Sequence, residues 1–355
     1  MLKPRQCVRE ACEYDSPLEE SPTSLRLDLN ENTTGCSPRV INKLRSLDAK
    51  TLALYAPREP GEKLVADFVG VTPAELMLTN GGDEAIDLLC RAYLETGVEM
   101  VIITPAFTMY EIFAQTTGAT VVRVPAGPEF SFPTDKIIAA INPRTRMVVI
   151  TNPNNPTGVT ISRNEILRIL QAAPDAAVLL DEAYFDFYGH TMMDQVGKIP
   201  NLFVARTFSK AYGLAGMRLG ILAGDAGQMR FLRPIVSPFN VNAGALACLA
   251  EALDDRPHVA AYVRQVKTTR EWLRGELESL GFKCWPSETN FLLCRFGAVK
   301  STILKSLKDG GISLRDRPDC EGCVRISIGT HAEMERVLAA LKQVLARTSA
   351  IQATR

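Results

Sequence analysis

An α/β fold, with a mainly parallel central sheet in a large domain and a smaller α+β unit after it, is predicted by three observations. Short apolar or β-branched runs alternate with longer runs of helical periodicity between residues 75 and 181. Two of the short runs, MVVI at 147–150 and AVLL at 177–180, are apolar at every position, as strands covered on both faces must be. Strands separated by helices pair in parallel, because each return needs a crossover.

The alternation assigns strands to 75–80, 100–104, 121–124, 147–151 and 177–181, and helices to 83–95, 108–117, 134–141 and 163–172. Two more strands, 202–208 and 218–223, follow with a loop between them. From residue 242 the chain turns helical, and 257–280 reads as one long helix with apolar positions at Val259, Val263, Val266, Leu273, Leu277 and Leu280. Strands at 290–295 and 324–328 and helices at 300–309 and 332–346 make the smaller unit. This divides the chain into an arm (1–43) lying with the small domain or a second subunit, a large domain (44–240) and a small domain (241–355).

Length and charge narrow the function. A chain of 355 residues with 46% hydrophobic residues has the material for two cores. Lys plus Arg and Asp plus Glu both number 40, so the basic excess of a nucleic-acid binder is missing. The apolar runs fall far short of the roughly 20 residues that span a bilayer. The first twenty residues scatter charge and hold no apolar segment, so no secretory signal is expected and the cytoplasm is the default. Nine cysteines, an odd number, read as free thiols. Cys320 and Cys323 have metal-ligand spacing, but there is no second such pair and only His190, His258 and His331 beside it, so the pair reads as a turn entering a strand and no metal is expected.

Chemistry gathers at the ends of the predicted strands. NPNNPTG at 152–158 displays Asn155 where a ligand binds in an open α/β sheet. Asp181 ends the apolar run AVLL and is followed closely by Tyr184; a carboxylate there needs a cationic or hydrogen-bonded partner. In TFSKAYGLAGMRLG, Lys210 stands beside Ser209 and is trailed by Gly213, Gly216 and Arg218, a hydroxyl, glycine and arginine set suited to phosphate. Gly81, Gly82 and Asp83 open a helix after a strand, a second anion cradle reinforced by the helix dipole. Phe107, after the next strand, can stack on a flat ring. An amine, a buried carboxylate and a phosphate cradle are what pyridoxal phosphate chemistry needs.

Together NPNNPTG, DEAY and SKAYGLAGMRLG, with LDLNEN, GGDEAIDLL, SETNFLL, LRDR and CVRISIGT, resemble the histidinol-phosphate aminotransferases, a family of fold-type I pyridoxal-phosphate enzymes. The resemblance runs from about Leu27 to Thr330. It implies that Lys210 binds the cofactor covalently and shuttles a proton, that Asp181 keeps the ring nitrogen protonated, and that Asn155 and Tyr184 hydrogen-bond the ring oxygen. It implies further that Phe107 stacks on the ring and that Gly82, Asp83, Thr207, Ser209 and Arg218 hold the phosphate. Tyr55 matches a tyrosine that reaches the phosphate in a neighbouring subunit, implying a homodimer with shared sites. Arg325 and Arg315 match two arginines that bind anionic substrate groups, and Asn32 falls in the substrate-binding NEN tripeptide. Two departures stand out: Thr33, Thr34 and Gly35 follow that tripeptide where a proline and often an aromatic are usual, and Ala56 replaces a common proline.

The implied reaction is transamination from an amino donor, L-histidinol phosphate, to a 2-oxo acid acceptor, 2-oxoglutarate. The same machinery could serve an aromatic-amino-acid aminotransferase or a threonine-phosphate decarboxylase. A catalytically silent regulatory module would lack the need for Lys210 and would carry a DNA-binding extension, and no GxGxxG follows an early strand as a dinucleotide-binding oxidoreductase requires.

Overall fold

The computed structural model describes residues 2–14 and 24–353. Among them twelve strands form two sheets. In chain order these are β1 (Leu25–Leu27), β2 (Leu76–Asn80), β3 (Glu99–Thr104), β4 (Thr120–Pro125), β5 (Thr145–Thr151), β6 (Ala177–Asp181), β7 (Leu202–Thr207), β8 (Leu219–Gly224), β9 (Lys283–Cys284), β10 (Phe291–Arg295), β11 (Ile312–Arg317) and β12 (Cys323–Ser327).

The large domain is built on the seven-stranded sheet β2-β8-β7-β6-β5-β3-β4. All its neighbours pair in parallel except β8, which runs antiparallel to both β2 and β7. That exception falls where the sequence reading places two strands joined by a loop, in a sheet expected to be mainly parallel. No crossover helix separates β7 from β8, so the chain can only double back. The doubly apolar strands behave as their composition requires. Val148, Ile150, Val178 and Leu180 feed one core layer, and Met147, Val149, Ala177 and Leu179 feed the other, on the opposite face.

The small domain carries the five-stranded sheet β1-β11-β12-β10-β9, with the helices Arg256–Ser279 and His331–Ala353 packed on it. β1 comes from the N-terminal arm and pairs in parallel with β11 through Leu25–Ile312 and Leu27–Leu314.

Two boundaries differ from the sequence reading. The helix Ala243–Asp254, assigned above to the small domain, buries Ala245, Cys248, Leu249, Ala252 and Leu253 in the core that also holds Leu76 and Val101. It packs on Pro38–Arg45, so the large domain extends to about Asp255, where the 24-residue helix begins. The arm is also divided. Its short helix Gln6–Arg9 lies on the large-domain helix Met109–Thr117, with Arg5 donating to the Thr116 carbonyl, while β1 joins the small domain. Residues 15–23 of the arm lie outside the described residues.

Cys320 and Cys323 sit in a turn entering β12, where the Cys323 amide donates to the Cys320 carbonyl at 2.9 Å. Both are buried beside Trp285, and burial raises both thiols above their ordinary pKa. No described helix is long and apolar enough to cross a membrane.

Candidate active site

Every parallel strand of the large sheet ends at one edge, and the chain places a functional group just past several of those ends. Gly82 follows β2, Phe107 follows β3, Asn155 follows β5, Asp181 ends β6 and Lys210 follows β7, while Arg218 immediately precedes the reversed β8. A cavity of about 700 Å³ between this edge and the small domain is lined by all of these, together with Asp83, Tyr110, Tyr184, Thr207, Ser209 and Arg325.

Lys210 donates from Nζ to the Leu29 carbonyl at 3.0 Å. Burial of the amine, aided by the nearby Arg325 guanidinium, pulls its pKa down to about 8. The neutral form that a nucleophilic amine needs is therefore far more accessible near pH 7 than for an exposed lysine. Asp181 accepts from Tyr110 Oη at 2.5 Å on one oxygen and from the Ala183 amide at 2.9 Å on the other. Burial pushes its pKa up, and the Tyr110 hydroxyl and Ala183 amide act against that rise.

The residues read as an anion cradle line one cavity together. Arg218 Nη2 pairs with Asp83 at 2.8 Å, and the Thr207 hydroxyl donates to Ser209 Oγ at 2.9 Å. Gly81 begins its helix at φ +75°, and a Cβ there would overlap Arg218 Nη2, so glycine leaves the room the guanidinium occupies. The amides that open this helix face the same pocket.

Arg325 brings a cation to the cavity from β12. Buried on β12, it donates from Nη1 to Asn155 Oδ1 at 2.7 Å and from Nη2 to the Asp28 carbonyl, while its Nε has no hydrogen-bond partner. Burial lowers its pKa to about 10. A buried guanidinium with one idle donor suits an incoming anion.

Three predicted residues are not brought into this cavity. Asn32 accepts from the Thr34 amide and hydroxyl and donates weakly to the Ala211 carbonyl at 3.4 Å, so its side chain closes a turn. Asn30, two residues earlier, lines the cavity instead. With φ 55°, buried, it donates to Tyr184 Oη at 2.9 Å and accepts from Ser327 Oγ. The helpful signal lay in the same NEN tripeptide, since asparagine tolerates the left-handed region. Arg315 stands opposite Arg325 in the β11–β12 register but lines a second cavity of about 1090 Å³, with its guanidinium over the Tyr14 ring. Tyr14 and Phe107 line both cavities, and their rings meet edge-on with centroids 6.3 Å apart. Tyr55 is 79% exposed, outside either cavity, and stacks on Phe239 with centroids 4.2 Å apart.

Sequence reasoning missed Tyr14 and Tyr110. Tyr14 lies in an arm without periodicity, so nothing local marked it. Tyr110 stands three residues after Phe107, one helical turn on, and that spacing could have drawn it in. The departure at Thr33 also finds its place: the Thr33 hydroxyl donates to Glu333 at 2.7 Å, joining the arm to the last helix.

Lys210, the buried Asp181, Arg218 and the buried Arg325 line one cavity, and an amine, a carboxylate and cations gathered in this way suit amino-group transfer. In agreement, residues 22–341 match the family of class I and II aminotransferases, and the chain belongs to that family. Within it, the chain is 32% identical over 339 residues to the histidinol-phosphate aminotransferase of Dehalococcoides mccartyi, covering 94% of each chain. It is 35% identical to histidinol-phosphate aminotransferase 2 of Methylococcus capsulatus, covering 90% of each. Among solved structures it is similar to the histidinol-phosphate aminotransferase of Sinorhizobium meliloti in complex with pyridoxal-5'-phosphate, with a TM-score of 0.86, 26% identity and coverage of 92% of this chain and 91% of that one.

Proposed function

We propose that the chain is a pyridoxal-phosphate-dependent aminotransferase that moves the amino group of L-histidinol phosphate to 2-oxoglutarate, giving imidazole-acetol phosphate and glutamate. The single observation that carries this reading is the meeting, in one cavity, of a lysine amine with a lowered pKa, the hydrogen-bonded Asp181 and a buried Arg325 with an idle donor. The residues fit the cofactor, since the cradle of Gly82, Asp83, Thr207, Ser209 and Arg218 offers amides, hydroxyls and a cation to a phosphate.

When bound, pyridoxal phosphate supplies an electron sink for the carbon that loses its proton. Lys210 would hold the cofactor and move the proton at that carbon. Asp181 would keep the ring nitrogen protonated, Asn155 and Tyr184 would offer hydrogen bonds to the ring oxygen, and Phe107 would offer an aromatic surface to the ring. Arg325 binds the anionic group of the substrate, with its cross-strand neighbour Arg315, which lines the adjoining cavity, as a second cation for a phosphate dianion. Asn30 serves this site by orienting Tyr184. Two such chains form a cytoplasmic homodimer in which Tyr55 reaches the phosphate of the neighbouring subunit's cofactor.

A donor screen tests the substrate. Histidinol phosphate is expected to exceed phenylalanine and tyrosine by a wide margin in kcat/KM, because those unphosphorylated donors leave cationic groups incompletely paired. Arg315→Ala is expected to lower kcat/KM for histidinol phosphate by about two orders of magnitude and to spare phenylalanine. A better rate with phenylalanine, or release of carbon dioxide from phosphothreonine, overturns the assignment.

A further inference from the structure

Asp181 is held by Tyr110, a residue to which the function proposed above gives no role. We infer that Tyr110 is a positioning residue that, acting through Asp181, keeps the proton on the ring nitrogen of bound pyridoxal phosphate. The inference rests on the cofactor reading above.

Tyr110 is fully buried in the first turn of the helix Met109–Thr117. Its hydroxyl accepts from Thr151 Oγ1 at 2.9 Å and donates to Asp181 Oδ2 at 2.5 Å. A phenol has one proton to give. With Thr151 already donating to it, that proton can point only at the carboxylate. Thr151 ends β5 and Asp181 ends β6, paired in register, so the two sheet positions and the helix hold the chain of hydroxyls between them. Burial and the adjacent Asp181 raise the pKa of Tyr110 well above its ordinary value, which keeps it a donor.

The charges facing Asp181 make this donor necessary. Asp83 and Glu182 both press its pKa upward, and among the described residues no cation pairs with the carboxylate in return. Glu182 is itself paired with Arg206 at 2.8 Å, and Asp83 with Arg218 at 2.8 Å, which blunts but does not cancel their influence. Two hydrogen bonds, from Tyr110 and the Ala183 amide, therefore carry the stabilisation of the anion. A carboxylate that stays the weaker base leaves the shared proton on the ring nitrogen. Removing the hydroxyl makes Asp181 more basic and draws that proton toward it. A tyrosine that merely filled core volume would affect stability and leave the nitrogen unchanged.

The test uses holoenzyme reconstituted with ring-15N pyridoxal phosphate and reads the nitrogen resonance by NMR. Asp181→Asn marks the neutral-ring endpoint. Tyr110→Phe is expected to move the resonance toward that endpoint and to lower turnover about tenfold to a hundredfold, the loss of one hydrogen bond to a charged group. Thr151→Val is expected to move it the same way by less, and it keeps the test open if Tyr110→Phe folds poorly. A nitrogen resonance unchanged from wild type in both variants overturns the inference. Wild-type protein that binds no cofactor, or whose ring nitrogen is already neutral, overturns instead the cofactor reading on which it rests.

Discussion

Replacing Gly81 by alanine should weaken cofactor binding far more than it weakens the fold. The backbone there has φ +75°, so alanine incurs about 1–2 kcal/mol of left-handed strain. The added Cβ would overlap Arg218 Nη2 and lie 2.8 Å from Cζ, closer than real contacts allow. Because the clash is with the end of a flexible side chain, Arg218 can swing away. It then gives up its 2.8 Å pair with Asp83 and its place at the cradle. One charge-assisted hydrogen bond to a phosphate contributes about 1.5–3 kcal/mol, which predicts a rise in Kd for pyridoxal phosphate of roughly 10- to 150-fold. The assay is titration of apoenzyme with the cofactor, followed by protein fluorescence, with the midpoint of thermal unfolding recorded alongside. Gly70→Ala is the control. Its backbone has a comparable φ of +82° and its Cβ would meet nothing within 4 Å, so it incurs the same backbone strain away from the cavity and binding should stay near wild type. A Gly81→Ala Kd within about twofold of wild type would show that Arg218 does not hold the phosphate.

Three further outcomes are expected. Lys210 has its pKa lowered from 10.5 to about 8, so its reactive neutral form grows as pH rises. The rate of cofactor capture by apoenzyme should climb up to about pH 8 and then level, and a rate independent of pH below that point refutes the assignment. The same shift disfavours the protonated amine in the folded state, so this group's contribution to stability improves between about pH 8 and 10.5. Asp181→Asn should keep the fold, since the amide matches the carboxylate in shape, and lose on the order of a hundredfold or more in turnover; near-normal turnover makes Asp181 structural. Mixing inactive Lys210→Ala and inactive Tyr55→Ala subunits should restore part of the activity, because one hybrid site then holds both groups, and a fully active monomer in sedimentation rules this out.

The cofactor side of the site was legible because its residues are tied to local structure. Asn155, Asp181 and Lys210 each sit within a few residues of a strand end, and parallel strands bring those ends to one edge whatever the packing details. The glycines at 81 and 82 marked the helix start in the same way. The substrate side was less legible, because it is assembled by pairings between distant segments. Arg315 and Arg325 look equivalent in sequence and are direct cross-strand neighbours, yet they line different cavities.

The sequence by itself determined the fold class, the family and the residues at the strand ends, since hydrophobic period, turn chemistry and motif spacing are properties of neighbouring residues. Tertiary structure alone decided between Asn30 and Asn32, because that choice depends on how the arm leaves β1 and meets Ser327, nearly 300 residues away. It also moved the helix Ala243–Asp254 into the large domain, where an apolar face finds Pro38–Arg45 to cover it. It placed Tyr110 against Asp181, a contact between a helix and a strand end that 71 residues of chain separate. Contacts of that kind are set by which surfaces must be buried together, and no local pattern in the chain records them.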